Sequence, residues 1–346
     1  MMVSKPVSGQ LLRPSRPDRT RILFIARHAP EAPAYTPKTY PGCGGYPQYY
    51  HRVWETLSGL GYAVHTATHV TAVLTAGGRA DLVFSLYNRM PLDHPEVLAA
   101  SLCDYVGIPC VGAPPNIRAV AEDKWLTKLA AGAAGLPVAP GAVYADEDSL
   151  SRLPDFPGPY FVKNRFGAAS EGVEPDCVQD DWAGAARTAR RFFARGMTVL
   201  VEAFAPGIDV TVPVLGGSGR PIVLGLVHSR SDQSASIITE DLKRDDPLGY
   251  ALFDAGEHAA AFHRDADTLW RAMGPMDYLR LDFRFDPATG RRVFLEFNLC
   301  CHIGRSGAVC LAAAEHGLTQ ADVLAHVVEF SLRRQAGRAA ARPWLP

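Results

Sequence analysis

The sequence predicts a chain of several lobes, a parallel α/β unit followed by antiparallel α+β units. Three observations carry that expectation. Short apolar runs alternate with helix-like segments up to about residue 115, the pattern of a parallel sheet covered by helices. The texture changes after Pro114 and Pro115, where a helical stretch gives way to a series of strand-like runs. Late in the chain, YLRLDFRFDPATGRRVFLEFN (278–298) reads as two alternating strands around a turn rich in Pro and Gly. A chain of 346 residues is long enough to bury the cores of two or three such lobes.

Taken in order, residues 1–20 are polar and Pro-rich and are expected to form a disordered lead. RILFIA (21–26) suits a buried parallel strand, and a helix over YYHRVWETLSGLGY is expected to end near Gly59 or Gly61. AVHTAT and ADLVFSL read as the second and third strands, PEVLAASLCDYVG as a helix and IPCVGA as a fourth strand, which completes a first domain over 21–115. IRAVAEDKWLTKLAAGAAG reads as one helix, closed by Gly135 and followed by Pro137. GPYFVKNRF, TVLVEAF, DVTVPVLGG and PIVLGLVHS are the strands of antiparallel lobes, and the last helix lies near TQADVLAHVVEFSLRR. The expected divisions are a central lobe over 116–202, a C-terminal lobe over 203–335 and a loose tail over 336–346.

Charge and cysteine usage narrow the partners. With 35 basic and 36 acidic residues and no long basic run, no nucleic-acid partner is expected. No apolar stretch approaches the roughly 20 residues that span a bilayer, so no membrane partner is expected either. The first residues contain no apolar signal core, and the seven cysteines follow no disulfide spacing; a reducing cytoplasm is the expected setting.

VFLEFNLCCHIGRS (293–306) poses a choice between two metals. Adjacent Cys300 and Cys301 do not easily bind one zinc ion, and no second Cys or His cluster stands at finger spacing. The hairpin, in contrast, puts Asp282 and Glu296 on neighbouring strands, with Asn298 two residues on and therefore on the same face. Three hard oxygen donors suit one or two magnesium ions, or manganese. Arg280 shares that face and is available to neutralise developing negative charge. Leu281, Phe283, Leu295 and Phe297 are expected on the opposite, buried face.

In sequence, EDKWLTK, PYFVKNRFGAASEG, VLVEAFAPGIDVTV, YLRLDFRFD and FLEFN resemble the motifs of the ATP-grasp superfamily, in its D-alanine–D-alanine ligase-like branch. The resemblance runs from about Asp81 to Phe330. It implies a three-lobed fold with two antiparallel-sheet lobes enclosing ATP, and coupling of a small carboxylate to a small amine through an acyl phosphate. By that resemblance Lys124 and Lys163 meet the ATP phosphates under the GAASEG loop that contains Ser170, and Lys243 is a further phosphate contact. Glu202 accepts from the adenine amino group, the backbone of Ala203 and Ala205 reads the ring edge, and Asp209 holds the ribose. Asp282, Glu296 and Asn298 hold the magnesium, and Arg280 joins Lys163 in catalysis. Family members are often homodimers.

The substrate-gripping segments depart from the family. The phosphate loop lacks the family's Glu-Gly-Ser-Ser run, and EFN is followed by LCCHIGRS instead of Pro-Gly. Arg305 and Ser306 are candidate binders of an acceptor carboxylate, His302 a candidate contact for the amine, and His28 with Tyr35 through Tyr50 a candidate entrance for the acyl substrate. These departures point away from alanine and towards dipeptide or natural-product assembly. The alternatives are a D-alanine ligase with unusual loops, an ATP-binding regulator without turnover, and intramolecular closure of an acid and an amine in one molecule.

Overall fold

The computed structural model describes residues 6–28, 31, 46–87, 94–167, 172–229 and 249–336. Three sheets organise the chain. In the first, β1 (Arg21–Ile25) lies between β2 (Ala63–Ala67) and β3 (Leu82–Ser85), all parallel; α1 (Tyr46–Gly59) connects β1 to β2, a 3-10 helix (Val70–Thr75) connects β2 to β3, and α2 (Pro95–Val106) follows β3. The expected fourth strand is reduced to a single bridge between Val83 and Cys110. On the β3 side Pro109 has no N–H to extend the ladder, and on the far side the Cys110 N–H is taken by the Gln335 side chain at 3.1 Å.

The lead is not disordered throughout. From Pro6 onward it forms two short 3-10 turns and docks on the last helix, where Leu12 N–H donates to His326 Nδ1 at 2.9 Å and Ser15 donates to Glu329. Likewise the single helix expected after Pro115 is two, α3 (Pro115–Glu122) and α4 (Lys124–Ala134). Asp123 breaks the run. Its backbone is extended and its carboxylate caps α4, accepting from the N–H groups of Trp125 and Leu126. Gly135 closes α4 in the left-handed region, as its position suggested.

The second sheet has the order β4-β7-β5-β6, with β4 (Gly141–Tyr144), β5 (Tyr160–Asn164), β6 (Val178–Gln179) and β7 (Val199–Ala203), and α5 (Trp182–Phe193) covers it with Ala185, Ala189 and Phe192. The third has the order β11-β10-β8-β12-β13, with β9 (Ile222–Val223) also on β8 (Ile208–Leu215). Here β10 is Val227–Ser229, β11 Tyr250–Leu252, β12 Tyr278–Asp286 and β13 Arg291–Asn298. PIVLGLVHS, read as one strand, is split into β9 and β10 around Gly225 at φ 130°.

One face of the third sheet packs Val210, Val212, Leu281, Phe283, Phe285, Phe294 and Phe297 against α6 (Ala259–Met273). Leu295, expected in that core, is the extra residue of a β-bulge: Asp282 pairs with Glu296, but Phe283 pairs with Phe294. Phe294, fully buried, takes the place expected for Leu295. Short α7 (Ala308–Ala314) and long α8 (Gln320–Gln335) complete the chain, and Val53 and Leu57 of α1 join Val323 and Val327 of α8 in one core. Among the described residues, no helix is long and apolar enough to cross a membrane.

Candidate active site

The polar face of the β12–β13 hairpin is a connected patch. Asn298 donates through Nδ2 to Asp282 at 2.8 Å and to Glu296 at 3.4 Å, so its amide touches both carboxylates. Thr211 on β8 donates to the other Asp282 oxygen at 2.7 Å. Arg280 lies 3.2 Å from Asp282 and donates to the Tyr250 hydroxyl at 2.8 Å. Burial opposes the charge on Arg280, but Asp282 and then Tyr250 outweigh it and raise its pKa. Thr211 and Tyr250 were not anticipated. Thr211 carried a readable signal, its place between Val210 and Val212 on an alternating strand and so on the face opposite the core, whereas Tyr250 had none.

The three side chains of the Cys-Cys-His run make separate contacts. Cys300 donates to the Ser85 carbonyl at 3.4 Å, while burial pushes the Cys301 thiol up to about 12. Among the described residues, no group of three or more His, Cys, Asp or Glu side chains is placed to hold a metal ion. His302 stacks on Tyr49 with ring centroids 4.0 Å apart. Burial, then the charge of Arg280, lowers the His302 pKa to about 4, so the ring is neutral. Gly304 and Gly307 fold round it; a Cβ on Gly304 would lie 2.4 Å from the imidazole and one on Gly307 2.6 Å from Nδ1.

A second polar cluster lies on the β4-β7-β5 sheet. Glu202, at the end of β7, sits 2.5 Å from Lys163 on β5 and 2.6 Å from Lys128 on α4. All three residues are buried. Burial alone would raise the pKa of Glu202, but Lys163 and Lys128 lower it to about 2. Lys128 was missed; its signal was its place between Thr127 and Ala131 on the buried stripe of α4. Lys124, at the start of α4, donates to the carbonyls of Phe166 at 3.0 Å and Gly167 at 2.6 Å, the last described residues before 168–171. Ser170 and Lys243 lie outside the described residues.

Beyond Glu202 the chain crosses to β8 through a pinned linker. The Ala203 N–H donates to the Pro140 carbonyl at 3.0 Å, and Pro140, having no N–H, returns no ladder bond to the Ala203 carbonyl. Arg284 donates to the carbonyls of Ala205 and Gly207 and pairs with Asp209 at 3.2 Å. Gly207 has φ 116°, and a Cβ there would lie 2.1 Å from the Phe285 carbonyl oxygen, so the linker is pressed against β12.

The remaining candidates are more scattered. Arg305 and Ser306 are exposed on the turn before α7, and Arg305 donates to Gln320 at 3.3 Å. Tyr49 and Tyr50 are core residues, Tyr46 is exposed, and His28 lies 6.2 Å from the Tyr50 ring; Tyr35 lies outside the described residues.

Known proteins share this layout. The D-alanine–D-alanine ligase of Laribacter hongkongensis (strain HLHK9) is 31% identical over 282 residues, which is 80% of this chain and 88% of the relative. That of Alkalilimnicola ehrlichii is 29% identical over 291 residues, 83% and 89% of the two chains. A crystal structure of D-alanine–D-alanine ligase from Bacillus anthracis aligns with TM-score 0.71 and 17% identity, covering 92% of this chain and 99% of its own. The ATP complex from the same organism gives 0.68 at 15% identity and the same coverage. No protein-family model matches the chain. The relative that is 31% identical is matched along most of its own length, and the ligase structures share the three-sheet architecture: the chain belongs to the D-alanine–D-alanine ligase family of the ATP-grasp superfamily.

Proposed function

We propose that the protein is an ATP-dependent ligase that joins a small carboxylic acid to a small amine, releasing ADP and phosphate. One observation carries this reading: Asp282, Glu296 and Asn298 form a single patch with a half-buried arginine beside it. The patch fits a magnesium ion, because its oxygens are hard donors and Asn298 already bridges the two carboxylates. Magnesium bound there would supply positive charge to the phosphate oxygens of ATP.

The chain's own residues account for the rest. Lys128, Glu202 and Lys163 carry two positive charges against one negative, a buried excess that a phosphate anion offsets. Lys124 ties the start of α4 to the backbone that leads into the phosphate loop. Glu202, the Ala203 carbonyl and the Ala205 N–H are the groups for the adenine edge, and Asp209 is the group for the ribose. An oxygen of the substrate carboxylate bonds to the γ-phosphorus in line as the bond to the ADP oxygen breaks. The amine nitrogen then bonds to the acyl carbon, phosphate leaves with the electrons of the C–O bond, and the nitrogen gives up its surplus proton. Arg280, fixed by Tyr250 and Asp282, is the cation for the developing oxyanion.

His302, Cys300 and Cys301 stand where the family motif has other residues, which supports substrates other than two alanines and a role in specialised biosynthesis. The names of the relatives favour a second reading, D-alanine as both acid and amine. Mass spectrometry of products from mixed amino-acid pools with ATP and magnesium separates the two. The ligase reading expects a new amide together with ADP. D-alanyl-D-alanine from D-alanine alone selects the second reading, and ATP binding without ADP or amide from any pool overturns both.

A further inference from the structure

The two lysines that flank Glu202 are not equivalent. Lys163 approaches Oε2 at 2.5 Å from β5, on the side from which the resemblance brings phosphate. Lys128 approaches Oε1 at 2.6 Å from α4, but its aligned hydrogen bond goes to the Ala139 carbonyl at 2.8 Å. Oε1 is therefore held by charge while lacking an aligned hydrogen-bond donor among the described residues. Glu202 is 2% exposed, so this is a buried anionic acceptor with a lone pair to spare. Such an oxygen is costly unless a donor completes it.

We propose that Lys128 is a specificity-determining positioning residue: by holding Oε1 of Glu202 apart from Lys163, it keeps an acceptor aimed at the exocyclic amino group of a 6-aminopurine and so selects ATP over 6-oxopurine nucleotides. The proposal rests on the ATP reading above. Its physical basis is a division of labour within one carboxylate. Without Lys128, both oxygens of Glu202 are free to turn to Lys163, and no oxygen is fixed for the base. An amino group donates to a carboxylate, whereas the carbonyl of a 6-oxopurine presents a second acceptor and is repelled. Lys128 has little freedom, since it is 4% exposed and anchored on a backbone carbonyl.

The test compares ATP and ITP, which differ at the 6-position, by calorimetric titration of the full chain. The wild type is expected to bind ATP at least about tenfold more tightly than ITP, the effect of about 1.4 kcal/mol from one hydrogen bond to a charged group. In Lys128→Met that ratio is expected to fall to within threefold of unity. Any displacement of Lys163 weakens both nucleotides alike and leaves the ratio unchanged, so a merely structural role does not move it. Lys128→Gln, whose amide still donates to Ala139, is expected to fold even if the Met variant does not, and to lower the ratio by at least threefold. A variant that retains the wild-type ratio overturns the proposal, as does a wild type that binds both nucleotides alike. A wild type that binds neither overturns the ATP reading as well.

Discussion

Asp282 and Glu296 face each other across the β12–β13 ladder, one pair before its register shifts. The shift absorbs Leu295 as an unpaired residue, so the two carboxylates are paired while Phe294 remains in the core. A regular ladder continued from that pair would have set Leu295 opposite Phe283 and Phe294 opposite Arg284, and lost the Phe283–Phe294 packing at 5.4 Å. The bulge thus reconciles a continuous apolar face with a polar pair on the other side.

Glu296 carries charge at the patch, and its hydrogen bond from Asn298 is long. Glu296→Gln is expected to lower kcat by about a hundredfold, the scale of losing one charge-stabilising group, with the melting temperature little changed. Asp282→Ala is expected to lose activity and also about 3 kcal/mol of stability, because Thr211 and Asn298 lose an acceptor and Arg280 its ion-pair partner. ADP release and urea unfolding on both variants check the contrast.

Tyr250 touches the site through Arg280. Tyr250→Phe keeps the ring and removes the hydroxyl, and is expected to cost about tenfold in kcat, the worth of one hydrogen bond to a charged group. The KM for ATP should stay within about twofold, since the hydroxyl's arginine partner serves the oxyanion and not the nucleotide. Steady-state kinetics separate the two parameters.

His302 has its pKa lowered to about 4 by burial and by Arg280, so its ring is expected to hold no proton at neutral pH. Its imidazole resonances, followed by NMR, should be flat from pH 8 to about 5.5 and move only below that, against an ordinary midpoint of about 6.5. A base with so low a pKa is poorly matched to an ammonium group. His302→Phe, which preserves the stack on Tyr49, is accordingly expected to leave the pH dependence of kcat unchanged while altering KM for the amine.

His326 ties the lead to the fold. Its Nδ1 accepts from Leu12, so Nε2 bears the proton and donates to the Gly216 carbonyl at 2.7 Å. Burial lowers its pKa; the Gly216 bond and Asp277 oppose that, and Arg333 adds to it. Since the folded pKa lies below the unfolded value, the unfolded chain takes up the proton first. The contribution is complete above about pH 6.5 and is lost as pH falls from there towards the folded pKa. Urea midpoints at pH 8, 6.5 and 5 should decline for the wild type and decline less for His326→Gln.

The alternation of the hairpin made its polar face readable, because a strand buried on one side must place every second residue outward. A bulge is invisible to that rule, which explains Leu295. The break at Asp123 was hidden because the helical apolar pattern continues through it, although Asp is a strong capping residue. IPCVGA has the composition of a strand, but it makes one bridge to β3, and on its far side Gln335, from more than 200 residues away, takes the Cys110 N–H, a contact no local pattern reports. The helices α5 and α6 stand between more conspicuous strands, and in α5 Ala185, Ala189 and Phe192 repeat at helical spacing. Lys128 and Tyr250 belong to the same class as Gln335: their roles come from partners on other elements.

The most direct measurement is a crystal structure of the chain with magnesium and a non-hydrolysable ATP analogue. The account predicts an ion about 2.1 Å from oxygens of Asp282, Glu296 and Asn298, with its remaining positions on phosphate. An ion on Cys300, Cys301 or His302, or a triphosphate bound away from the hairpin, would contradict it.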